Sequence, residues 1–330
     1  MGYRWYSNTD SIRNMTQRRA LAIGCGGTLG FAWTAVALRA LEEQLDWDAR
    51  TADVLVGTSA GAEIVAALGS GRTPQDLLDA LDGRDHADPL LAGHVADHPG
   101  SIPPVPALAL PALGLVRAGI ARRSPYAALA GLLPRGRGDA TWLREYGDAL
   151  AGADGWTAHR DTWIVAADVA TGERVAFGSA GAPPARLGEA VAASWGIPGW
   201  FPPVEIAGRR FVDGGAVSSV SADLLVGQPV GEVVVVAPMT SAGGAPARGL
   251  SRVERLLRTQ MTIGLDREVA ALEAAGIRVV RVEPGPEELA AMGPNFMDLS
   301  RRDATLAAAR THVPGRVASA IGAAIEGAKA

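Results

Sequence analysis

Two stretches decide the fold: Ala20-Leu21-Ala22-Ile23-Gly24-Cys25-Gly26-Gly27-Thr28-Leu29-Gly30 and Asp53-Val54-Leu55-Val56-Gly57-Thr58-Ser59-Ala60-Gly61. Each is a short apolar run feeding a glycine-bearing turn. Each then leads into helical apolar spacing, over Phe31–Leu45 in the first case and over the small-residue run Ala62–Leu68 in the second. Strand, turn and helix repeated twice so early argue for a parallel sheet. Further apolar runs predict strands at Trp163–Ala167, Arg210–Val212, Glu232–Ala237 and Arg278–Val282. Helices are predicted at Leu187–Ser194, Ser251–Ala275 and Asp303–Thr311. The expected class is α/β, a mostly parallel central sheet with helices on both faces.

The chain has 330 residues, 48% of them hydrophobic, enough to bury a sizeable core. A polar tail is expected over residues 1–19 and a single domain over 20–330, with 84–139 inserted as a cap. The tail has no apolar segment of the signal-peptide kind. A net charge of −4 provides no chain-wide basic field, so no nucleic-acid partner is expected. Cys25 is the single cysteine, which excludes a disulfide framework and a cysteine-rich zinc site and fits a cytoplasmic location. Lys329 is the single lysine, so neither a P-loop lysine nor an internal Schiff-base lysine is available.

Gly57-Thr58-Ser59-Ala60-Gly61 places a serine on a sharp strand-to-helix turn, where crowded backbone demands small neighbours. The helix that follows aims free N–H groups, that of Ala60 included, at charge developing near Ser59. The pattern alone occurs often by chance, so context matters. The glycine cluster Gly24–Gly30 leaves the sheet at the same carboxyl edge and can present adjacent N–H groups as an oxyanion hole. A dinucleotide loop is its ordinary competitor, but Leu29 interrupts the Gly-x-Gly-x-x-Gly spacing. In Phe211-Val212-Asp213-Gly214-Gly215 an aspartate directly follows a short strand. Such a carboxylate can take the proton of a serine hydroxyl if the pair is desolvated, although a turn aspartate is the common use of Asp-Gly.

Taken in order, these elements resemble the patatin-like phospholipases, which carry a glycine-rich oxyanion loop, Gly-x-Ser-x-Gly and Asp-Gly-Gly. Trp163-Ile164-Val165-Ala166-Ala167-Asp168 and Ser194-Trp195-Gly196-Ile197-Pro198-Gly199-Trp200-Phe201-Pro202-Pro203-Val204 also look like family segments. The resemblance covers roughly residues 20–240. It implies a three-layer α/β/α fold and a serine acyl hydrolase acting on lipid esters, of the phospholipase A or lysophospholipase type. In that reading Ser59 is the nucleophile and Asp213 the base, and the backbone of Gly26, Gly27, Thr28 and Ala60 forms the oxyanion hole. Gly57, Gly61, Gly214 and Gly215 complete the motifs, and no metal or organic cofactor is implied. The sequence departs from the family where Leu29 replaces a basic residue and Cys25 a glycine, which leaves the oxyanion to backbone N–H groups alone. Ser219 and Ser221 stand where Asn and Pro are frequent.

Other readings stay open. His312 follows Ser59 and Asp213 in the Ser, Asp, His order of α/β-hydrolases, so a triad is an alternative, though no motif surrounds it. An acyltransferase on the same dyad and a non-catalytic lipid- or nucleotide-binding module are others. His94 and His98 have helical i, i+4 spacing suited to a metal, but Gly93 and Pro99-Gly100 predict a loop with solvated histidines. From Pro99 to Gly138 there is no acidic residue, while Arg117, Arg122, Arg123, Arg135 and Arg137 are positive. With its apolar residues this segment is either a plain cover or a lid for peripheral contact with an anionic membrane.

Overall fold

In the computed structural model, residues 18–97, 100–107, 112–121, 125–242 and 251–327 are described, with Gly244, Pro246, Ala247 and Gly249. The chain opens with β1 (Arg19–Ile23), α1 (Gly27–Leu45), β2 (Val54–Thr58), α2 (Ala60–Gly69) and α3 (Pro74–Leu81). A helical stretch follows, comprising α4 (Pro89–Ala96), α5 (Leu113–Ala121), α6 (Pro125–Leu132) and α7 (Thr141–Leu150). Then come β3 (Thr162–Asp168), β4 (Arg174–Phe177), α8 (Leu187–Ser194), β5 (Val204–Ile206) and β6 (Arg209–Asp213). The last elements are β7 (Glu232–Val236), α9 (Ser251–Ala274), β8 (Arg278–Val282), α10 (Pro286–Met292) and α11 (Arg302–Gly327).

The eight strands form one sheet in the order β5-β6-β3-β2-β1-β7-β8, with β4 also on β3. The run β3-β2-β1-β7-β8 is parallel, whereas β4, β5 and β6 join antiparallel. Residues of β2, β3 and β7 are buried throughout, as expected of strands covered on both faces. The pleat divides the core. Leu21, Ile23, Val234 and Val236 face the layer that holds α1, α2, α8 and α11, while Ala20, Ala22, Val233 and Val235 face Leu265 and Leu272 of α9. The sheet is therefore mixed but mostly parallel and flanked by helices, as expected.

Several elements depart from the sequence reading. The short β4 and β5 were not predicted. β5 pairs with β6 through Ala207-Gly208, both at positive φ, a two-residue hairpin turn. The helix predicted to stop at Thr311 instead runs through Pro314 to Gly327. Its Val313 and Val317 are fully buried on either side of the proline, and this burial outweighs the hydrogen bond the proline cannot make. Tail residues 1–17 lie outside the described residues. Arg19, assigned to the tail, opens β1, and its guanidinium pairs with Glu232.

The solvated loop predicted around His94 is corrected. Pro89–Ala96 is a helix, started by Asp88, whose side chain accepts from the N–H of Leu90 at 2.8 Å. His94 is buried, stacked on Tyr146 at 3.6 Å between ring centroids. Its Nε2 lies 3.6 Å from Glu63 Oε1. His98 lies outside the described residues. Within residues 84–139, α5 and α6 cross closely because glycine is used at the contact. A Cβ on Gly119 would stand 2.2 Å from the nitrogen of Ala128.

Candidate active site

Ser59 is the hinge between β2 and α2 and adopts φ 57°, ψ −121°, a conformation costly for any residue with a Cβ. The turn is this sharp because α2 doubles back along the sheet with no room for side chains. A Cβ on Gly57 would lie 2.4 Å from the carbonyl oxygen of Gly61, and one on Gly61 would lie 2.2 Å from that of Ile23. The two glycines of the motif are thus packing requirements that hold the serine at the sheet edge. A third group fixes the turn. The Ser59 N–H donates to Ser194 Oγ at 2.8 Å, and that hydroxyl donates to the Val165 carbonyl at 2.6 Å. Ser194 stood in a quoted family segment, but nothing in its spacing marked this role.

Asp213 ends β6 opposite Ala166 of β3, and Thr58 ends β2 opposite Val165; because β4 takes the other edge of β3, β2 and β6 meet end to end on one edge, which brings the aspartate to Ser59. Its Oδ1 accepts from the N–H of Gly215 at 2.7 Å, and the Ser59 side chain contributes a further hydrogen-bond interaction. Ser59 is 2% and Asp213 6% exposed. Burial dominates those hydrogen bonds and lifts the carboxyl to about 7. At neutral pH the group therefore stands between its two protonation states.

The glycine loop closes the other side. Gly24 N–H donates to Val236 O at 2.9 Å and Cys25 N–H to Ser219 O at 2.8 Å, and Leu29 N–H donates to Phe296 O at 3.0 Å. The N–H groups of Gly26, Gly27 and Thr28 at the start of α1, and those of Ala60 and Gly61 at the start of α2, have no acceptor among the described residues. Gly27 has φ +56° and sits against Phe296, which a Cβ would meet at 2.5 Å. The Leu29 side chain is fully buried in the core, away from the loop's open face. Burial and the nearby Asp213 push the Cys25 thiol far up, so it stays protonated.

Ser59, Asp213, Gly26, Gly27 and Gly215 line a single cavity of about 220 Å³. Its walls are apolar and include Tyr126, Leu129 and Leu133 from the insertion, Leu257 and Met261 from α9, and Phe296. These wall residues carry no sequence motif and were not anticipated. Thr28 is placed differently, lining a smaller neighbouring cavity with Glu63 and His94. Ala60 sits behind Ser59 as the first residue of α2, and Gly214 packs against Val165, whose carbonyl a Cβ would meet at 2.6 Å. His312 lies in a separate groove with Arg281, Glu287 and Arg316. Among the described residues no group of three or more His, Cys, Asp or Glu is arranged to hold a metal.

A serine hydroxyl beside a half-ionised carboxyl, in an apolar cavity edged by unpaired N–H groups, is suited to acyl transfer. No curated protein matches the chain. The crystal structure of VipD from Legionella pneumophila is similar at 15% identity, covering 92% of this chain and 67% of that one with a TM-score of 0.41. A family model of the patatin-like phospholipases matches residues 21–226. That match spans more than half of the 330 residues and includes both Ser59 and Asp213, so the chain belongs to the patatin-like phospholipase family.

Proposed function

We propose that this protein hydrolyses acyl esters of lipids through a Ser59–Asp213 dyad, with Asp213 as the base and no histidine in the step. The observation that carries this reading is that Ser59 and the buried Asp213 carboxyl line one apolar cavity, whose burial lifts that carboxyl to about 7. As Ser59 Oγ bonds to the ester carbonyl carbon, its proton passes to Asp213. The N–H groups of Gly26, Gly27 and Ala60 stabilise the oxyanion. The C–O bond then breaks, and the departing alkoxide takes the proton from Asp213. Water attacks acyl-Ser59 in the same way, giving its proton to Asp213, which returns it to Ser59 Oγ as the fatty acid leaves. The apolar walls suit the acyl chain.

Exposed apolar side chains support a lipid substrate drawn from an interface. Ile102 and Val105 are 80% and 82% exposed, and Leu113, Ile120, Leu129 and Leu132 of the insertion are exposed with them. Arg117, Arg135 and Arg137 are exposed among these residues, while Arg122 and Arg123 lie outside the described residues. No helix among the described residues is long and apolar enough to cross a membrane. The reading is peripheral attachment to an anionic surface, checked by sedimentation with anionic vesicles and with neutral ones; binding should fall with salt.

The chemical reading is tested with Ser59→Ala. The variant should fold, lose turnover of a p-nitrophenyl acyl ester and of a lysophospholipid, and lose labelling by a fluorophosphonate. Wild-type turnover in the variant would remove Ser59 from the mechanism.

A further inference from the structure

A second cavity, of about 270 Å³, adjoins the one that holds Ser59, and the two share Tyr126 and Met261. They also share a length of chain: Gly215 and Ala216 line the first, while Val217, Ser218 and Ser219 line the second. The helix α9 does the same, turning Leu257 toward the first and Gln260 and Glu268 toward the second. Their chemistry differs sharply. The first is apolar, whereas the second carries Ser218, Ser219, Gln260 and four charged groups.

Two guanidinium groups, Arg174 and Arg267, stand against two carboxyl groups, Asp223 and Glu268. Both terminal nitrogens of Arg174 lie 2.6 Å from Asp223 oxygens, and one lies 3.4 Å from Glu268. A phosphate placed there would meet two carboxylates, and an ammonium would meet two guanidinium groups. One fully buried polar atom of the lining lacks a partner. Ser219 is 4% exposed, and its hydroxyl has no hydrogen bond among the described residues. The Ser219 carbonyl accepts from Cys25, so this hydroxyl stands next to the glycine loop.

We propose that this chamber is the subsite for the alcohol half of the ester, and that it takes an uncharged polyhydroxylated alcohol such as a glycerol unit, held by Ser219 and Gln260. The inference rests on the acyl-hydrolase reading and specifies its leaving group. An alcohol hydroxyl both donates and accepts, matching serine and amide partners without disturbing the ion pairs. A substrate lacking those hydroxyls leaves the polar groups unpaired, which is the stronger form of discrimination.

The test compares wild type, Ser219→Ala and Gln260→Leu on a 1-monoacylglycerol, the lysophosphatidic acid of the same chain and its p-nitrophenyl ester. Wild type should prefer the monoacylglycerol to the anionic lipid. In each variant the ratio of kcat/KM for monoacylglycerol to that for the p-nitrophenyl ester should fall about tenfold, mainly through KM. A ratio unchanged in both variants, or a wild-type preference for the anionic lipid, would overturn the proposal. Calorimetric binding of a non-hydrolysable monoalkylglycerol to Ser59→Ala protein, with and without Gln260→Leu, needs no turnover. A tenfold loss supports the subsite and equal affinity overturns it. A wild type inactive on the p-nitrophenyl ester would refute the hydrolase reading instead.

Discussion

Ser59 beside Asp213 and Ser218 beside Glu268 are the same chemical pair, a serine hydroxyl on a buried carboxyl, in different surroundings. Burial raises both carboxyls, and for Glu268 the nearby Asp223 adds to the rise while Arg174 opposes it. The partners separate them. Glu268 accepts from Ser218 Oγ and from the N–H of Ala222 at 2.9 Å, and Ser218 Oγ itself accepts from the N–H groups of Val220 and Ser221. That serine closes a saturated network. Ser59 instead sits at a positive φ on an apolar cavity, with unpaired N–H groups in the glycine loop close by. A raised carboxyl therefore does not by itself mark a base; what its serine faces decides the role.

The largest expected break in this comparison is catalytic. Asp213→Asn should lower kcat/KM by about 10³-fold or more, since the amide cannot accept the Ser59 proton. Glu268→Gln should cost less than about tenfold on a p-nitrophenyl ester, because the reacting atoms do not touch it. Equal losses would erase the distinction between the two pairs.

The pH dependence should follow the same division. Activity requires ionised Asp213, so kcat/KM should fall as pH drops through about 7, where the free enzyme's carboxyl takes up its proton. The stability sign is opposite. The folded carboxyl binds its proton more tightly than the unfolded one at 3.8, so ionising it destabilises the fold progressively between those values. Asp213→Asn should accordingly stabilise the protein by about 1–3 kcal/mol above pH 7, with the gain fading as pH falls from about 7 and gone below about pH 4, as read by urea unfolding at each pH.

Smaller effects sharpen the contrast between the serines. Ser218→Ala strands the N–H groups of Val220 and Ser221 and should destabilise by about 1–3 kcal/mol in urea melts. Ser59→Gly removes the side chain from a positive-φ position and should stabilise by about 1 kcal/mol while abolishing turnover. The smallest effect belongs to His312→Ala, expected to change kcat/KM by less than about twofold, as the residue lines a separate groove. A loss of orders of magnitude there would restore the triad.

What could be read from the sequence was the part governed by backbone sterics over a few residues. Gly57 and Gly61 flank Ser59 because α2 must turn within a bond or two of the sheet, and that demand leaves the same letters wherever such a turn is built. The strands β1, β2 and β7 were legible because burial on both faces leaves short, nearly unbroken apolar runs. Tertiary structure alone decided the rest. The pairing of β2, β3 and β6 carries Asp213 to Ser59, Ser194 reaches Ser59 N–H from another element, and Tyr126, Leu129 and Phe296 come from distant segments to wall one cavity. His94 went to the interior, and α11 ran through Pro314, because neighbouring faces buried them. Such outcomes depend on which surfaces meet across the sheet, and packing of that kind leaves no periodic mark on the residues that provide it.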